Sequence, residues 1–286
     1  MSGAGDQGFP GAYGFRLAAT EPGVDLPHLS PVGADAEVVQ ISSRHAVALH
    51  DARDVGPDRV VLSYRQGGAI VVRREPAEVE LYLPQPLPPA ALVHPIGTVP
   101  LSVLAHWRGS VTLHGGAFVH GGSAWAICGD REAGKSTMLA QLGELGLPIV
   151  ADDLIVVDGA DVLAGPRCVD LRPDVAHRFP SAESMGTVGS RERFRLVTAP
   201  SPPRVPLAGI FVLEWSVDGE TEATPLELQE RLALLHEQQY STLFENPGAE
   251  GIMGLLDVPM LRFRRPRDWH RAAESADALV AAARGQ

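Results

Sequence analysis

The sequence predicts an α/β protein with a strand-rich front part and a larger part in which strands alternate with helices. Three observations predict it. Between residues 12 and 100, short β-branched or alternating runs are separated by turn residues. From His114 onward, apolar strand-like runs alternate with amphipathic helical patterns. Between the two lies Leu83-Pro84-Gln85-Pro86-Leu87-Pro88-Pro89, which cannot pair as a central strand and reads as an extended connector. The expected organisation is a disordered tail over residues 1–11, a strand-rich domain over 12–100 and a second domain over 101–286.

The front strands are expected at residues 38–41, 60–64, 69–72 and 79–83, and the element 99–107 belongs to either side of the boundary. Residues 124–128 (AWAIC) form a short apolar strand. Residues 135–145 follow as a helix with Met138, Leu139, Leu142 and Leu145 on one face, and Gly146 ends it. Residues 148–157 are the next apolar strand. Together these make a βαβ unit, which implies a parallel sheet covered by helices. Residues 186–203 read as a mobile loop and 207–215 as a buried strand. Thr224 is expected to cap a helix, with Pro225 in its first turn and Glu227 three residues on, running to about Leu243. A strand at 258–263 and a closing helix at 268–283 complete the chain.

Composition narrows function. Apolar residues are 45% and charged residues 21% of 286, ordinary globular usage. A net charge of −11 argues against nucleic acid or anionic lipid as partner, since both call for clustered positive charge. No stretch reaches the roughly 20 apolar residues of a membrane span. The first ten residues lack a basic start and an apolar core, so no secretory signal is expected. Cys128 and Cys168 are too few for a disulfide framework, and no His or Cys spacing suggests structural zinc. A cytoplasmic protein, monomeric or a homo-oligomer, is the expectation.

One count stands out: Lys135 is the single lysine beside 23 arginines. It lies in Gly129-Asp130-Arg131-Glu132-Ala133-Gly134-Lys135-Ser136, which fits the G-x-x-x-x-G-K-[ST] pattern, with Thr137 following. Glycines at both ends let such a loop wrap its N–H groups around a phosphate, and the following helix points its positive end at the same anion. Lys135 would neutralise the β- and γ-phosphates and Ser136 would ligate Mg²⁺. An apolar strand before the loop and an amphipathic helix after it are the context the pattern requires. ATP with Mg²⁺ is therefore the expected ligand. Glu132 must point outward, because an acid beside phosphate is unfavourable.

Asp152 and Asp153 end the apolar run at residues 147–151, 17 residues beyond Lys135. A strand that delivers carboxylates beside a phosphate loop suits metal holding and proton acceptance, one acid for each task.

These features resemble the HPr kinase/phosphorylase family. His114-Gly115 lies 15 residues before Gly129, the loop reads GDREAGKST, and Val150-Ala151-Asp152-Asp153 follows at the family's distance. The resemblance implies a P-loop catalytic core like that of phosphoenolpyruvate carboxykinase, and phosphoryl transfer to a serine hydroxyl. By position it implies His114 near the transferring phosphate, Asp152 as general base, Asp153 supporting metal or base, and Ser136 on Mg²⁺. The family's downstream E-[IV]-R-G is replaced by Asp170-Leu171-Arg172-Pro173. There Arg172 is placed to stabilise phosphate charge and Asp170 to back the metal, with a structural salt bridge as the alternative. The overall layout, with Leu92-Val93-His94-Pro95 and Ala105-His106-Trp107-Arg108-Gly109, is similar to HPr-kinase-related enzymes that tailor lasso-type peptides. The acceptor implied is a hydroxyl of a peptide or small protein. The alternatives are a non-catalytic nucleotide-binding module and a small-molecule hydroxyl kinase.

Two arginine groups stand apart. Arg262, Arg264, Arg265, Arg267 and Arg271 read first as a solvated surface. Arg191, Arg193 and Arg195 read first as loop charge, with closure of one over a γ-phosphate as the sharper alternative.

Overall fold

Alternation of apolar and polar residues builds the first sheet. The computed structural model describes residues 8–20, 24–46, 53–64, 68–188, 191–240, 243 and 249–285. Its first eight strands are β1 (Phe9–Ala12), β2 (Phe15–Ala19), β3 (Ser30–Val32), β4 (Glu37–His45), β5 (Asp54–Val55), β6 (Arg59–Tyr64), β7 (Gly68–Arg73) and β8 (Glu78–Leu83). They lie in the order β3-β1-β2-β4-β8-β7-β6-β5 and contain every front strand expected. Val39, Ile41, Val60, Val72, Val79 and Leu81 point to one core. The disordered tail expected over residues 1–11 does not hold at residues 9–11, which form a paired strand. Phe9–Ala12 pairs with β2 and β3, Ala12 is buried, and Arg16 covers the Phe9 ring at 3.7 Å; residues 1–7 lie outside the described residues.

The Pro-rich connector ends in a helix the pattern did not announce, α1 (Pro89–Gly97), and the element expected at 99–107 is a second helix, α2 (Val99–Trp107). Pro89 is compatible with a helix start because its missing N–H would have had no partner there. Leu92, Ile96, Leu101 and Leu104 share one core with Ile41 and Leu81 of the first sheet and with Leu154 and Val156 beyond it. The expected boundary near residue 100 therefore runs through a single packed layer.

The second sheet holds β9 (Val111–His114), β10 (Gly116–His120), β11 (Ser123–Cys128), β12 (Ile149–Ala151), β13 (Leu154–Asp158), β14 (Asp161–Leu163), β18 (Arg204–Trp215), β19 (Glu222–Pro225) and β20 (Met260–Arg265). Helix α3 (Lys135–Glu144) joins β11 to β12. The expected parallel sheet is corrected to a mixed one. β11, β18 and β20 run parallel, but β10 lies antiparallel between β11 and β12. On the face of α3, Met138, Leu139 and Leu142 are buried as expected, whereas Leu145 is exposed beyond the helix end.

The single strand expected at 148–157 is two strands, broken at Asp152-Asp153. β12 pairs with β10, while β13 pairs with β9 and β14. The break is matched opposite, where Gly115 separates β9 from β10. Leu154 faces His114 on one side of the corner, and Ala117 faces Ala151 on the other. A bent two-stranded ribbon thus turns between two parts of the sheet, as strands do at orthogonal corners. Side chains would block the bend: a Cβ on Gly115 would sit 2.3 Å from the Ile127 carbonyl oxygen.

A third, small sheet corrects the loop expected at 186–203. β15 (Cys168–Leu171), β16 (Glu183–Val188) and β17 (Arg191–Val197) pair in the order β15-β17-β16, with α4 (Pro173–Ala176) after β15; residues 189–190 lie outside the described residues. Phe194 and Leu196 pack on the α3 core, which the Ser- and Gly-rich flanks concealed. Thr224 ends up in β19, and the next helix, α5 (Leu228–Glu237), is capped by Glu227, whose capping box closes with Glu230. Helix α6 (Ala249–Leu255) was not expected, and α7 (Ala272–Arg284) closes the chain. Among the described residues no helix is long and apolar enough to cross a membrane.

Candidate active site at the sheet corner

The loop between β11 and α3 meets the corner of the bent ribbon in a cleft of about 470 Å³. His114, Lys135, Ser136, Asp152, Asp153 and Arg172 all line it, as do Arg131, Glu132, Gly134, Thr137 and Asp170. Residues that the sequence scatters over some 60 positions share one wall because the ribbon's two breaks lie side by side. Gly115 N–H donates to the Asp153 carbonyl oxygen at 3.3 Å.

The loop itself is strained in the way its glycines permit. Gly134 has φ 83°, and an added Cβ would lie 2.7 Å from the Arg265 guanidinium. Glu132 also adopts a left-handed φ, 72°. Its carboxylate turns away from the loop to accept from Arg172 at 3.0 Å, which holds it below the ordinary carboxylate range. The Lys135 ammonium donates to the carbonyl oxygens of Gly129 at 2.8 Å and Asp130 at 3.1 Å. Burial lowers its pKa. Ala133 donates to the Asp130 carbonyl oxygen, and its own carbonyl accepts from buried Arg265, so these two act within the loop. Arg265 in turn lies 4.2 Å over the Trp215 ring, and Trp215 donates to the Glu132 carbonyl oxygen.

The twin acids have different surroundings. The Ser136 hydroxyl donates to Asp152 Oδ1 at 2.9 Å, and the Asp170 N–H donates to Asp152 Oδ2 at 3.0 Å. Burial, then the charge of Asp153, raises the Asp152 carboxyl to about 7. Asp153 has φ 70°, so the chain turns there and its carboxylate reaches His114, with Oδ1 3.5 Å from Nδ1. His114 Nδ1 is also 3.1 Å from the Asp153 carbonyl oxygen. Burial and then Lys135 lower the His114 pKa, favouring the neutral ring.

Asp170 and Arg172 do not pair with each other. Asp170 is 8% exposed in its side chain and accepts from Arg195 Nε and Nη2, each at 2.8 Å. Burial pushes its carboxyl up, but those hydrogen bonds outweigh burial and hold it low. Asp170 therefore steadies Asp152 through its N–H, and its carboxylate belongs to Arg195. Among the C-terminal arginines, Arg262, Arg264 and Arg271 pair with glutamates at the surface, while Arg265 and Arg267 line the cleft.

Several site residues had no sequence signal. Tyr13 donates its buried hydroxyl to the Leu154 carbonyl oxygen at 3.1 Å, tying the first sheet to the residue after Asp153. The His114 N–H donates to the carbonyl of Gln238, which caps α5, and the Tyr240 ring lies 5.9 Å from His114. Each contact spans more than a hundred residues, so no local pattern could carry it.

Among the described residues no three side chains form a metal-binding cluster. Ser136 and Asp152 nonetheless supply two hard oxygen donors 2.9 Å apart, a set suited to Mg²⁺ completed by phosphate oxygens and water.

No protein-family model matches the chain, and no curated protein does. Among solved structures it is similar to the HPr(Ser) kinase/phosphatase from Coxiella burnetii, at 12% identity and a TM-score of 0.30, over 60% of this chain and 95% of that one. A likeness of that depth carries no information about chemistry, which the cleft's own residues supply.

Proposed function

We propose that the cleft binds ATP with Mg²⁺ and transfers the γ-phosphoryl group to a hydroxyl. The observation that carries this is the Ser136–Asp152 hydrogen bond at the start of α3, in one cleft with Lys135 and with the Asp153–His114 pair. Residues 129–137 cradle the phosphates, and Lys135 leaves its carbonyl partners to neutralise them. Ser136 and Asp152 hold the Mg²⁺, which would supply charge neutralisation on the phosphates.

The roles of the acids follow from their partners. Both Asp152 oxygens already accept hydrogen bonds, one of them from Ser136, so Asp152 suits the metal. Asp153 and neutral His114 face the open cleft and suit proton acceptance. The acceptor oxygen forms a bond to the γ-phosphorus, the bond to the β–γ bridging oxygen breaks, and ADP leaves. The hydroxyl proton passes to Asp153. This reverses the assignment that the family resemblance implies. The hydrogen bond from Arg172 offsets the charge of Glu132 beside the phosphates.

The acceptor we favour is serine in a peptide or small protein, on the resemblance to lasso-peptide tailoring kinases. Mass spectrometry after incubation with ATP, Mg²⁺ and candidate peptides or small alcohols tests this. Transfer should require Lys135 and Asp153, while Asp153→Asn keeps nucleotide affinity within a few-fold. Tight ATP binding with no transfer and no hydrolysis would instead make the chain a nucleotide-binding module. Unchanged transfer by Lys135→Ala would remove the reading altogether.

A further inference from the structure

Strand β17 contributes Arg191, Glu192 and Arg193 to the cleft lining, together with residues of the loop at 129–136. Along a strand, alternate residues share a face. Arg195 pairs with Asp170, and Arg193, two positions earlier, lies on the same face of the strand and lines the cleft. The pairing of β15 with β17 sets Asp170 against Arg195 and Leu171 against Phe194.

The arginines around this wall differ in how they are satisfied. Arg195 is held by Asp170 and by the Ala90 carbonyl oxygen, and Arg172 by Glu132. The Arg193 Nε is buried and has no hydrogen-bond partner, and among the described residues no carboxylate pairs with its guanidinium. Its charge is felt at Asp170, His94 and Tyr240, the groups around the twin acids. A cleft-lining cation whose Nε has no hydrogen-bond partner fits an anion that arrives with substrate.

Resting on the nucleotide reading above, we propose that Arg193 is a catalytic residue whose guanidinium contacts the oxygens of the γ-phosphoryl group as it transfers. It makes and breaks no covalent bond; it supplies positive charge where negative charge is spread over three oxygens. Its loss would leave ground-state nucleotide affinity nearly intact and weaken only the transferring state.

Aluminium fluoride with MgADP mimics that state without needing the acceptor. Titration calorimetry on the full chain should show that Arg193→Ala binds MgADP within about threefold of wild type, while the tightening produced by aluminium fluoride falls by roughly 10²-fold or more. Arg193→Lys should recover part of it, and a matching circular dichroism melt would show that the variants are folded. An unchanged tightening in Arg193→Ala would overturn the proposal. So would an equal loss of MgADP and of MgADP with aluminium fluoride, or wild type binding MgADP with no tightening at all. Wild type binding no MgADP would sink the nucleotide reading itself, and Arg193's role with it.

Discussion

Replacing Asp152 by Asn should flatten the pH dependence of this protein's stability. In the folded chain the Asp152 carboxyl is raised to about 7 from the ordinary aspartate value of 3.8, because burial and Asp153 oppose its charge. Between those values the folded chain holds a proton that the unfolded chain releases. Stability from this group is therefore full below pH 4 and is lost as pH rises through 7. From pH 5 to pH 8 the loss corresponds to about two pKa units, roughly 3 kcal/mol as an upper figure at ~1.4 kcal/mol per unit. The carboxyl faces the cleft, so solvent reduces this to ~1–3 kcal/mol. Asn keeps the shape but does not titrate. It disturbs the contacts to Ser136 and the Asp170 N–H equally at every pH, so the slope isolates the charge. Urea unfolding in chelator at pH 5, 6, 7 and 8 measures it, and the wild-type curve should fall relative to Asp152→Asn by that amount. Parallel curves would refute the reasoning, since they would mean that Asp152 ionises without penalty.

Two further substitutions probe the cleft's supports. Gly134→Ala forces a side chain into a left-handed backbone position, 2.7 Å from the Arg265 guanidinium and 3.2 Å from Trp215. It should weaken nucleotide binding at least tenfold by calorimetry while the three sheets stay folded. Tyr13→Phe removes the hydroxyl bonded to the Leu154 carbonyl oxygen. It should lower stability by about 1–2 kcal/mol in denaturant unfolding, and it should slow transfer because the residue after Asp153 loses its tether.

Much of the site was readable because its chemistry is written locally. The glycine pattern, the single lysine and the hydroxyl beside it occupy eight consecutive positions, and apolar runs on both sides predict the strand and helix that present them. Charge alone made Glu132 an oddity beside phosphate; the structure keeps it in the cleft lining and pairs it with Arg172. The arginines were harder. The residues at 191, 193 and 195 alternate as a strand would, yet the surrounding Gly and Ser favoured a loop. Only pairing with β15 shows that one of them is locked to Asp170 and another left without a partner. Likewise, Thr224 and Pro225 carry every local sign of a helix start, and β20 claims them for a strand by supplying a full set of cross-strand partners.

The sequence by itself determined that a strand leads into a glycine-bounded loop with Lys135 and Ser136 at the head of a helix, since steric permission, charge and periodicity act over a few residues. Tertiary structure alone decided where the acids stand. Asp152 and Asp153 follow the end of β12, as the apolar run suggested, but they stand at a bend that exists because β12 and β13 find hydrogen-bond partners in different parts of the sheet, with Gly115 bending alongside. Strand pairing is a contest among distant segments for the same backbone groups, and its outcome is not written near the residues it positions.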